Sequence, residues 1–191
     1  MSAISLQGNA GGTGTLTVAA PSTNTNRTLT LPDATGTVLT TATAGVPVNG
    51  PAFSAYQSST QTIANATFTK IQLQTEEFDT ANAFDSTTNY RFTPLVAGYY
   101  QINGAAAIAG STGNNYIVAI FKNGSEYKRG SQLLTNTSGQ TIPTVSSIVY
   151  LNGSTDYLEL YGYQGSTISQ TTNLGSTYQI YFNGAMVRSA T

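Results

Sequence analysis

From Phe53 onward the chain consists of short segments that alternate apolar and polar residues and are separated by turn residues. Side chains of a strand point to opposite faces in turn, so this pattern predicts strands with one buried face. The clearest segment places one set of residues on a common face, namely Tyr100, Ile102, Gly104, Ala106 and Ile108. No window of useful length has the period of about 3.6 residues that a helix requires. We therefore predict an all-β sandwich.

Further strands follow from the same rule. Residues 53–57 form the first predicted strand, and Ile71 and Leu73 point inward from the second. Residues 116–122 are apolar on both faces, as expected of a central strand. Leu158 and Leu160 predict the buried face of a later strand.

Four Asn-Gly pairs punctuate these segments. Asn123-Gly124 and Asn152-Gly153 stand between strands and predict hairpin turns with positive φ. Asn103-Gly104 and Asn183-Gly184 fall inside strand patterns, where glycine indicates a bulge or a close approach of the backbone.

Composition excludes several classes of function. The chain has no histidine and no cysteine, so neither a Ser-His-Asp triad nor a cysteine nucleophile can form, and zinc lacks its usual ligands. The seven basic residues are scattered and the net charge is −1, which argues against nucleic acid as a partner. No apolar stretch approaches the length of about 20 residues that a membrane span needs, and no signal peptide is visible, so we expect no membrane insertion.

Ordered landmarks in the last hundred residues resemble those of one known family. They are Phe92, Pro94, Gly98, Tyr99 and Tyr100 in FTPLVAGYYQING, then IVAIFKNG, then Leu151-Asn152-Gly153 before Asp156-Tyr157-Leu158-Glu159-Leu160, and finally Phe182-Asn183-Gly184-Ala185-Met186-Val187. In order and spacing these resemble the globular head of complement component 1q and its tumour-necrosis-factor relatives. The resemblance covers roughly residues 51–191. It implies a ten-stranded jelly roll that forms a homotrimer and binds other macromolecules.

Residues 1–50 differ from this predicted head. They contain no aromatic residue, many Gly and Thr residues, and short alternating pieces with Leu and Val. The segment GTLTVAAP to NRTLTLPDATGTV resembles the β-rich stalks of tailed-phage fibre proteins. We predict an N-terminal stalk or attachment segment in which three chains share the faces that carry Leu16, Val18, Leu29 and Leu31. A flexible Thr/Gly linker is the alternative.

One strand carries a second predicted trimer contact. Tyr157, Tyr161 and Tyr163 share a face with Glu159, opposite Leu158 and Leu160. A broad aromatic face suits packing against a symmetric neighbour, because tyrosine buries area while its hydroxyl finds partners. The family resemblance likewise implies that this strand faces the trimer axis. The alternative is that the second sheet of the same subunit covers these rings.

Two further sets of residues are candidate binding groups. We predict no cofactor, with calcium as the possible exception. A group of acidic residues could ligate this ion or could belong to a solvated strand end or loop; they are Glu76, Glu77, Asp79 and Asp85. Amides in polar loops could recognise a sugar or could be ordinary turn residues; they are Asn114, Asn115, Asn136, Gln140, Gln164, Gln170 and Asn173.

The sequence thus predicts a non-enzymatic, trimeric virion fibre or appendage protein of a bacteriophage, made in the host cytoplasm, whose head binds a host-surface glycan or protein. The N-terminal segment would contact other tail or capsid proteins. The alternative is a purely structural head-fibre or decoration protein. A third hypothesis is a polysaccharide-degrading tail spike, which needs only a pair of carboxylates, with Glu159 and Glu76 among the candidates.

Overall fold

Every regular element in the described part of the chain is a β-strand. The computed structural model describes residues 11–12, 24–26, 50–110, 113–135, 139–175 and 178–190. Contacts divide the chain into two compact units, Met1–Val38 and Leu39–Thr191, and the strands belong to the second. The predicted stalk contacts lie outside the described residues and stay predictions, namely Leu16, Val18, Leu29 and Leu31. The predicted division at residue 50 also stays a prediction.

The strands in chain order are β1 (Ala52–Tyr56), β2 (Thr62–Ile63), β3 (Thr69–Lys70), β4 (Thr75–Asp79), β5 (Phe84–Asp85), β6 (Arg91–Phe92), β7 (Gly98–Ala105), β8 (Ile108–Gly110), β9 (Asn115–Lys122), β10 (Ser125–Leu134), β11 (Gly139–Thr141), β12 (Thr144–Leu151), β13 (Leu158–Gln164), β14 (Gln170–Thr171) and β15 (Tyr181–Ser189).

Two antiparallel sheets form the sandwich. The first sheet has the strand order β12-β7-β15-β1-β4, and the second has the order β10-β9-β13-β6-β5 with β3 paired to β13. Two short pairs, β8 with β11 and β2 with β14, complete the described structure. Sequence neighbours are therefore often far apart in a sheet, as in a jelly roll. The predicted all-β class is confirmed.

A stack of phenyl rings from both sheets forms the centre of the core. Phe53 of β1 lies parallel to Phe92 of β6 with ring centroids 4.1 Å apart, and parallel to Phe84 of β5 at 5.2 Å. Phe182 of β15 meets the Phe53 ring edge-on at 5.3 Å. Such pairs contribute about 0.5–1.5 kcal/mol each beyond the area that they bury. Because these strands come from both sheets, the stack holds the two sheets together.

A buried tyrosine borders this stack. Tyr100 is fully buried, meets Phe92 edge-on at 5.6 Å, and donates its hydroxyl hydrogen to the carbonyl oxygen of Val96 at 2.7 Å. Burial raises the pKa of Tyr100 to about 12. The hydroxyl therefore stays protonated as a hydrogen-bond donor, which satisfies the polar end of a core ring.

The Asn-Gly predictions divide according to local geometry. Asn123 and Gly124 both have positive φ, 54° and 77°, so the predicted two-residue hairpin turn between β9 and β10 is confirmed. The hairpin predicted at Asn152-Gly153 is wrong, because β12 and β13 are joined by a longer loop in which only Gly153 has positive φ. In that loop, the side-chain oxygen of Asn152 accepts hydrogen bonds from three successive backbone amides, those of residues 154–156.

The strand glycines lie where other strands approach closely, across the sandwich at Gly104 and within the first sheet at Gly184. A Cβ atom on Gly104 would stand 2.5 Å from Leu160, across the sandwich. A Cβ atom on Gly184 would stand 2.8 Å from the carbonyl oxygen of Gln101 and 2.5 Å from Ile102. All three distances are too short for real contacts. The predicted close approach at Asn103-Gly104 and Asn183-Gly184 is confirmed.

We expect Gly184→Ala to lower the free energy of unfolding by about 1–3 kcal/mol, because the methyl group meets a backbone oxygen that cannot move away. Gly165→Ala is the matched control, since its nearest neighbours would be 3.7 Å from the new Cβ. We expect this control to stay within about 0.5 kcal/mol of the parent. Urea unfolding of the three proteins measures both changes. Equal midpoints for the two variants would contradict the steric argument.

Candidate binding end and outward sheet faces

The polar loops of the head meet at one end of the sandwich. Backbone bonds join them: the Gly113 amide donates to Thr135 at 2.6 Å, and the Gly165 amide donates to Asn115 at 2.9 Å. The Asn173 amide donates to Ala107 at 2.9 Å. The loop strands β8 and β11 pair directly with each other. The described parts of these loops are called the loop end below; they are residues 106–110, 113–114, 135, 139–143, 165–175 and 178–180.

The loop end lies away from the place where the chain enters the sandwich. Ala105, the last residue of β7, pairs with Tyr181 and Thr144 next to the loop end, whereas Gly98 at the start of β7 pairs with Ser189 at the opposite end. Gly50 lies against Met186, the register partner of Tyr100, in the half of the sheet nearer Gly98. The described start of the head at Gly50 therefore lies in the half of the first sheet away from the loop end.

Five of the predicted receptor-contacting residues lie at or beside this end, namely Asn114, Asn115, Gln140, Gln170 and Asn173. Gln140 donates to the side chain of Gln179, and Asn173 accepts from the amide of Gly175 at 3.1 Å. Asn136 lies outside the described residues. Whether these residues contact a receptor stays a prediction.

Gln164 is a correction to that set. The side chain is fully buried, so it cannot contact a receptor at the surface. Its amide nitrogen donates to the carbonyl oxygens of Ile63 at 3.2 Å and Ile168 at 3.0 Å, and its oxygen accepts from the amide of Ser166 at 2.8 Å. Gln164 therefore ties the loop after β13 to β2. Its sequence position, just before a polar loop, gave no sign of this burial.

A pair of tyrosine rings adds an aromatic surface beside the loop end. Tyr56, the last residue of β1, and Tyr178 have ring centroids 4.0 Å apart. Tyr178 is 62% exposed, and a hydrogen bond with Tyr56 raises the pKa of its hydroxyl. Sequence analysis missed Tyr56 as a surface group. The alternation of Phe53 and Ala55 inward predicts that it points outward.

The tyrosines of β13 are partly covered by their own chain. Tyr161 stacks on Phe121 of the adjacent β9 at 3.8 Å, and Phe68 lies 5.3 Å from Tyr163. Tyr157 lies under the guanidinium of Arg91 at 4.4 Å. Tyr161 and Tyr163 are half-buried on the outward face of β13, and Tyr157 is half-buried in the loop just before it. The covering rings come from the same sheet and from a neighbouring loop rather than from the opposite sheet, and a trimer contact here stays a prediction.

The alternating sequence pattern predicted Glu159 to be an exposed residue beside the tyrosines, but the structure buries it. The side chain is buried, and one carboxylate oxygen lies 2.5 Å from the ammonium nitrogen of Lys70. A buried carboxylate needs such a partner, because desolvation of an unpaired charge is costly. Glu159 therefore belongs to an internal ion pair and is a correction to the predicted set of interface residues.

The first sheet carries an exposed apolar groove that sequence analysis missed. Its large side chains are Tyr99, Ile148, Tyr150 and Val187, each between 42% and 56% exposed. The rings of Tyr99 and Tyr150 lie 5.4 Å apart on β7 and β12. The groove has a volume of about 570 Å³, and Arg188 also lines it. The signal for it was the alternation along β12, where Val149 and Leu151 are buried and the intervening residues are exposed.

Three of the four predicted calcium ligands accept hydrogen bonds from different partners. Asp85 accepts backbone hydrogen bonds from Thr87 and Thr88, and these bonds, with that of Thr88 the largest effect, hold the pKa of Asp85 far below its usual range. Asp79 accepts from the amide of Phe84 at 2.7 Å, and Glu77 accepts from the hydroxyl of Ser54 at 2.6 Å.

No three acidic side chains converge on a common point in the part of the chain that the structure describes. Glu76, the fourth predicted ligand, lines the same shallow surface as Asp85. Calcium binding by these residues stays a prediction.

Comparison with solved structures defines the fold. The globular domain of zebrafish complement 1qA protein is 16% identical, with 74% of this chain and 99% of that chain covered and a TM-score of 0.54. Eiger TNF from S. frugiperda is 9% identical, with coverages of 74% and 94% and a TM-score of 0.50. Vertex protein P5 of the phage PRD1 is 18% identical, with coverages of 74% and 99% and a TM-score of 0.51.

These likenesses confirm the predicted complement-1q/tumour-necrosis-factor-like jelly roll. The identities are low, so the likeness concerns the fold alone. Neither a family model nor a curated protein matches the chain. Among the described residues there is also no helix with the length and apolar character to cross a membrane.

We expect Asp85→Asn to destabilise the protein by about 1–2 kcal/mol near neutral pH, because the turn loses a charged acceptor. The folded-state pKa of Asp85 is lowered, so this stabilisation is present above the unfolded pKa and is lost as the pH falls through the folded value. The difference from the parent in urea unfolding should therefore be smaller at about pH 2 than at about pH 7.

Glu76→Gln is the control for this experiment, since the Glu76 carboxylate takes part in none of the three ion pairs of the described residues. We expect it to change the free energy of unfolding by less than about 0.5 kcal/mol at either pH. An Asp85→Asn effect that is independent of pH, or that depends on added calcium, would contradict the turn-capping interpretation.

Proposed function

We propose that this chain is a non-enzymatic, trimeric fibre or appendage protein of a bacteriophage virion, and that its jelly-roll head binds a glycan on the host surface. The observation that carries the proposal is the loop end, where three polar loops meet away from the entering backbone at Gly50. The jelly-roll fold supports it, because the same fold occurs in a phage vertex protein and in a complement-1q domain.

The chemistry of the loop end suits a sugar. Side-chain amides offer both a donor and an acceptor, which match the paired hydroxyls of a saccharide. The exposed ring of Tyr178 offers an apolar surface for the C–H face of a sugar, and Gln140 and Asn173 stand in the adjoining loops. Backbone bonds between the loops hold these groups in place before a ligand arrives, which lowers the entropic cost of binding.

Trimer formation would give the head its strength of attachment. Three identical loop ends on one axis convert a weak contact with a repetitive envelope into firm adhesion, since the second and third contacts are intramolecular. In this proposal the N-terminal segment joins the other virion proteins, and the virion is the place of action.

The surroundings of two carboxylates in the head support binding without catalysis. Glu159 is buried and paired with Lys70, so it is unsuited to donate a proton to a sugar at the surface. Asp85 is occupied by backbone amides. Release of sugar from host envelope that Glu159→Gln or Glu76→Gln abolished would contradict this part of the proposal.

A purely structural role is the second candidate. The observation that favours it is the likeness to vertex protein P5 of PRD1, a protein named for its position on a particle. Under this alternative, the chain would occupy a fixed position and copy number on the virion and would bind no host glycan.

Light scattering of the intact chain tests the trimer. We expect a solution mass near three times 19.9 kDa. The mass should be unchanged by a chelator if the contacts are apolar, whereas a decrease would indicate calcium at the axis. A monomeric mass at micromolar concentration would contradict both the trimer and the avidity mechanism.

Binding of the purified chain to host-envelope glycans on an array tests the receptor role. We expect Tyr178→Ala to weaken the affinity of each site about fivefold, because a ring contact worth about 1 kcal/mol is lost. Tyr178→Phe keeps the ring and should retain most of the binding. Leu95→Ala, a change at an exposed residue beyond the other end of the sandwich, is the control and should have no effect. Absence of any glycan binding by the parent would favour the structural candidate.

A further inference from the structure

The loop end is built from uncharged side chains. Its sequence contains no Asp, Glu, Lys or Arg, and the same holds for residues 57–68. That segment borders the loop end, because the Gln57 amide donates to Ile180 at 3.0 Å and the Thr172 amide donates to Gln61 at 2.9 Å. A ligand at this end of the sandwich therefore meets hydroxyls, amides and rings.

The cations of the head lie outside the loop end; they are Lys70, Arg91, Lys122, Lys128, Arg129 and Arg188. Arg188 stands about 23 Å along β15 from the start of that strand beside the loop end. Lys70 and Arg129, nearer the middle of the second sheet, are held in ion pairs at 2.5 Å and 2.6 Å, and Lys128 lies 5.4 Å from the Tyr127 ring. The loop end thus offers an anionic ligand no cationic partner among the described residues.

A carboxylate stands beside the ring pair of Tyr56 and Tyr178. Glu77 of β4 accepts a hydrogen bond from the Ser54 hydroxyl at 2.6 Å. Ser54 and Tyr56 are alternate residues of β1, so their side chains share one face of the strand, and the Glu77 carboxylate lies on that face with the rings. The hydrogen bond with Tyr56 and, to a smaller extent, the negative charge of Glu77 raise the pKa of the Tyr178 hydroxyl. An anionic group brought to these rings meets a like charge.

Two side-chain amides adjoin the exposed ring of Tyr178. Gln179 follows Tyr178 in the chain and accepts a hydrogen bond from the side chain of Gln140, which is exposed. Each amide has two N–H donors and an oxygen with two acceptor sites, so a pair that shares one hydrogen bond keeps groups of both kinds for a ligand. Saccharide hydroxyls likewise donate and accept. Ile142, 38% exposed in the same loop as Gln140, adds apolar contact.

We infer that the loop end selects uncharged saccharides. A neutral hexose chain places a C–H face on the Tyr178 ring and bonds through its hydroxyls to Gln140 and Gln179, whereas glycans with carboxylate, phosphate or sulfate groups bind more weakly. Recognition of such anions usually depends on Arg or Lys, which the loop end lacks. The inference rests on the glycan-binding role of the proposed function and adds the chemical class of the glycan.

Matched pairs of glycans test this selectivity. The intact chain is applied to an array that carries neutral and charged host-envelope glycans, together with glucan, mannan and galactan oligosaccharides before and after oxidation of C6 to a carboxylate. We expect the bound glycans to be neutral and each oxidised counterpart to bind at least about fivefold more weakly. The affinity for a neutral glycan should change less than about twofold between about 50 mM and about 500 mM salt, since no charge pair is screened.

A charge-removing variant tests the part assigned to Glu77. We expect Glu77→Gln to reduce the preference for the neutral member of a pair about twofold, because the repulsion at the rings is lost. Glu76→Gln is the matched control: it removes the same charge from the adjacent residue, which lines the shallow surface with Asp85. This control should leave the preference unchanged. Equal preferences in the parent and in Glu77→Gln would contradict the part assigned to this carboxylate.

The outcomes separate this inference from the proposed function. Binding of the parent to charged envelope glycans alone, or to oxidised glycans as tightly as to neutral ones, would overturn the inference and leave the glycan-binding role standing. A steep loss of affinity with added salt would do the same, since it indicates a charge pair in the contact. Absence of binding to every glycan of both kinds would overturn the inference and the receptor role together.

Discussion

The ring of Phe53 is the contact on which the rest of the head depends. It lies against Phe92 and Phe84 of the second sheet and against Phe182 of its own sheet, so a single side chain joins both layers. Because interiors are densely packed, the positions of the outward residues follow from this inner contact. Gly104 of β7 has the complementary role, since the absence of a side chain leaves room for Leu160 of the second sheet, whereas Gly184 of β15 leaves room for the neighbouring strand β7 within the first sheet.

The two ends and the two outward faces of the sandwich have different chemistry. Polar loops occupy one end, an aromatic surface with a buried ion pair occupies the second sheet, and an apolar groove that Arg188 also lines occupies the first. In a monomer the groove would be an exposed apolar patch of the kind that usually marks an interface.

The sequence predicted those features that depend on neighbouring residues. Alternation identified the buried face of β7 and the inward Leu158 and Leu160 of β13, and the Asn123-Gly124 turn was recognisable because both residues suit positive φ. Features that depend on distant partners were not predictable. Glu159 became internal through Lys70, and Gln164 became internal through the backbone of Ile63, residues far away in the chain. The apolar groove was missed because its residues come from three strands that only the fold brings together.

The burial of Gln164 has a consequence for variation among related chains. Its amide binds backbone atoms of Ile63 and Ile168 and the backbone amide of Ser166, and its oxygen also accepts a hydrogen bond from the buried hydroxyl of Ser166, so these bonds involve no exposed loop side chain. Exposed side chains of the loop end can therefore be substituted while the hydrogen bonds of Gln164 stay intact. Ligand preference can then diverge without a matching loss of folding stability. A head built in this way separates the residues under selection for recognition from the residues under selection for folding.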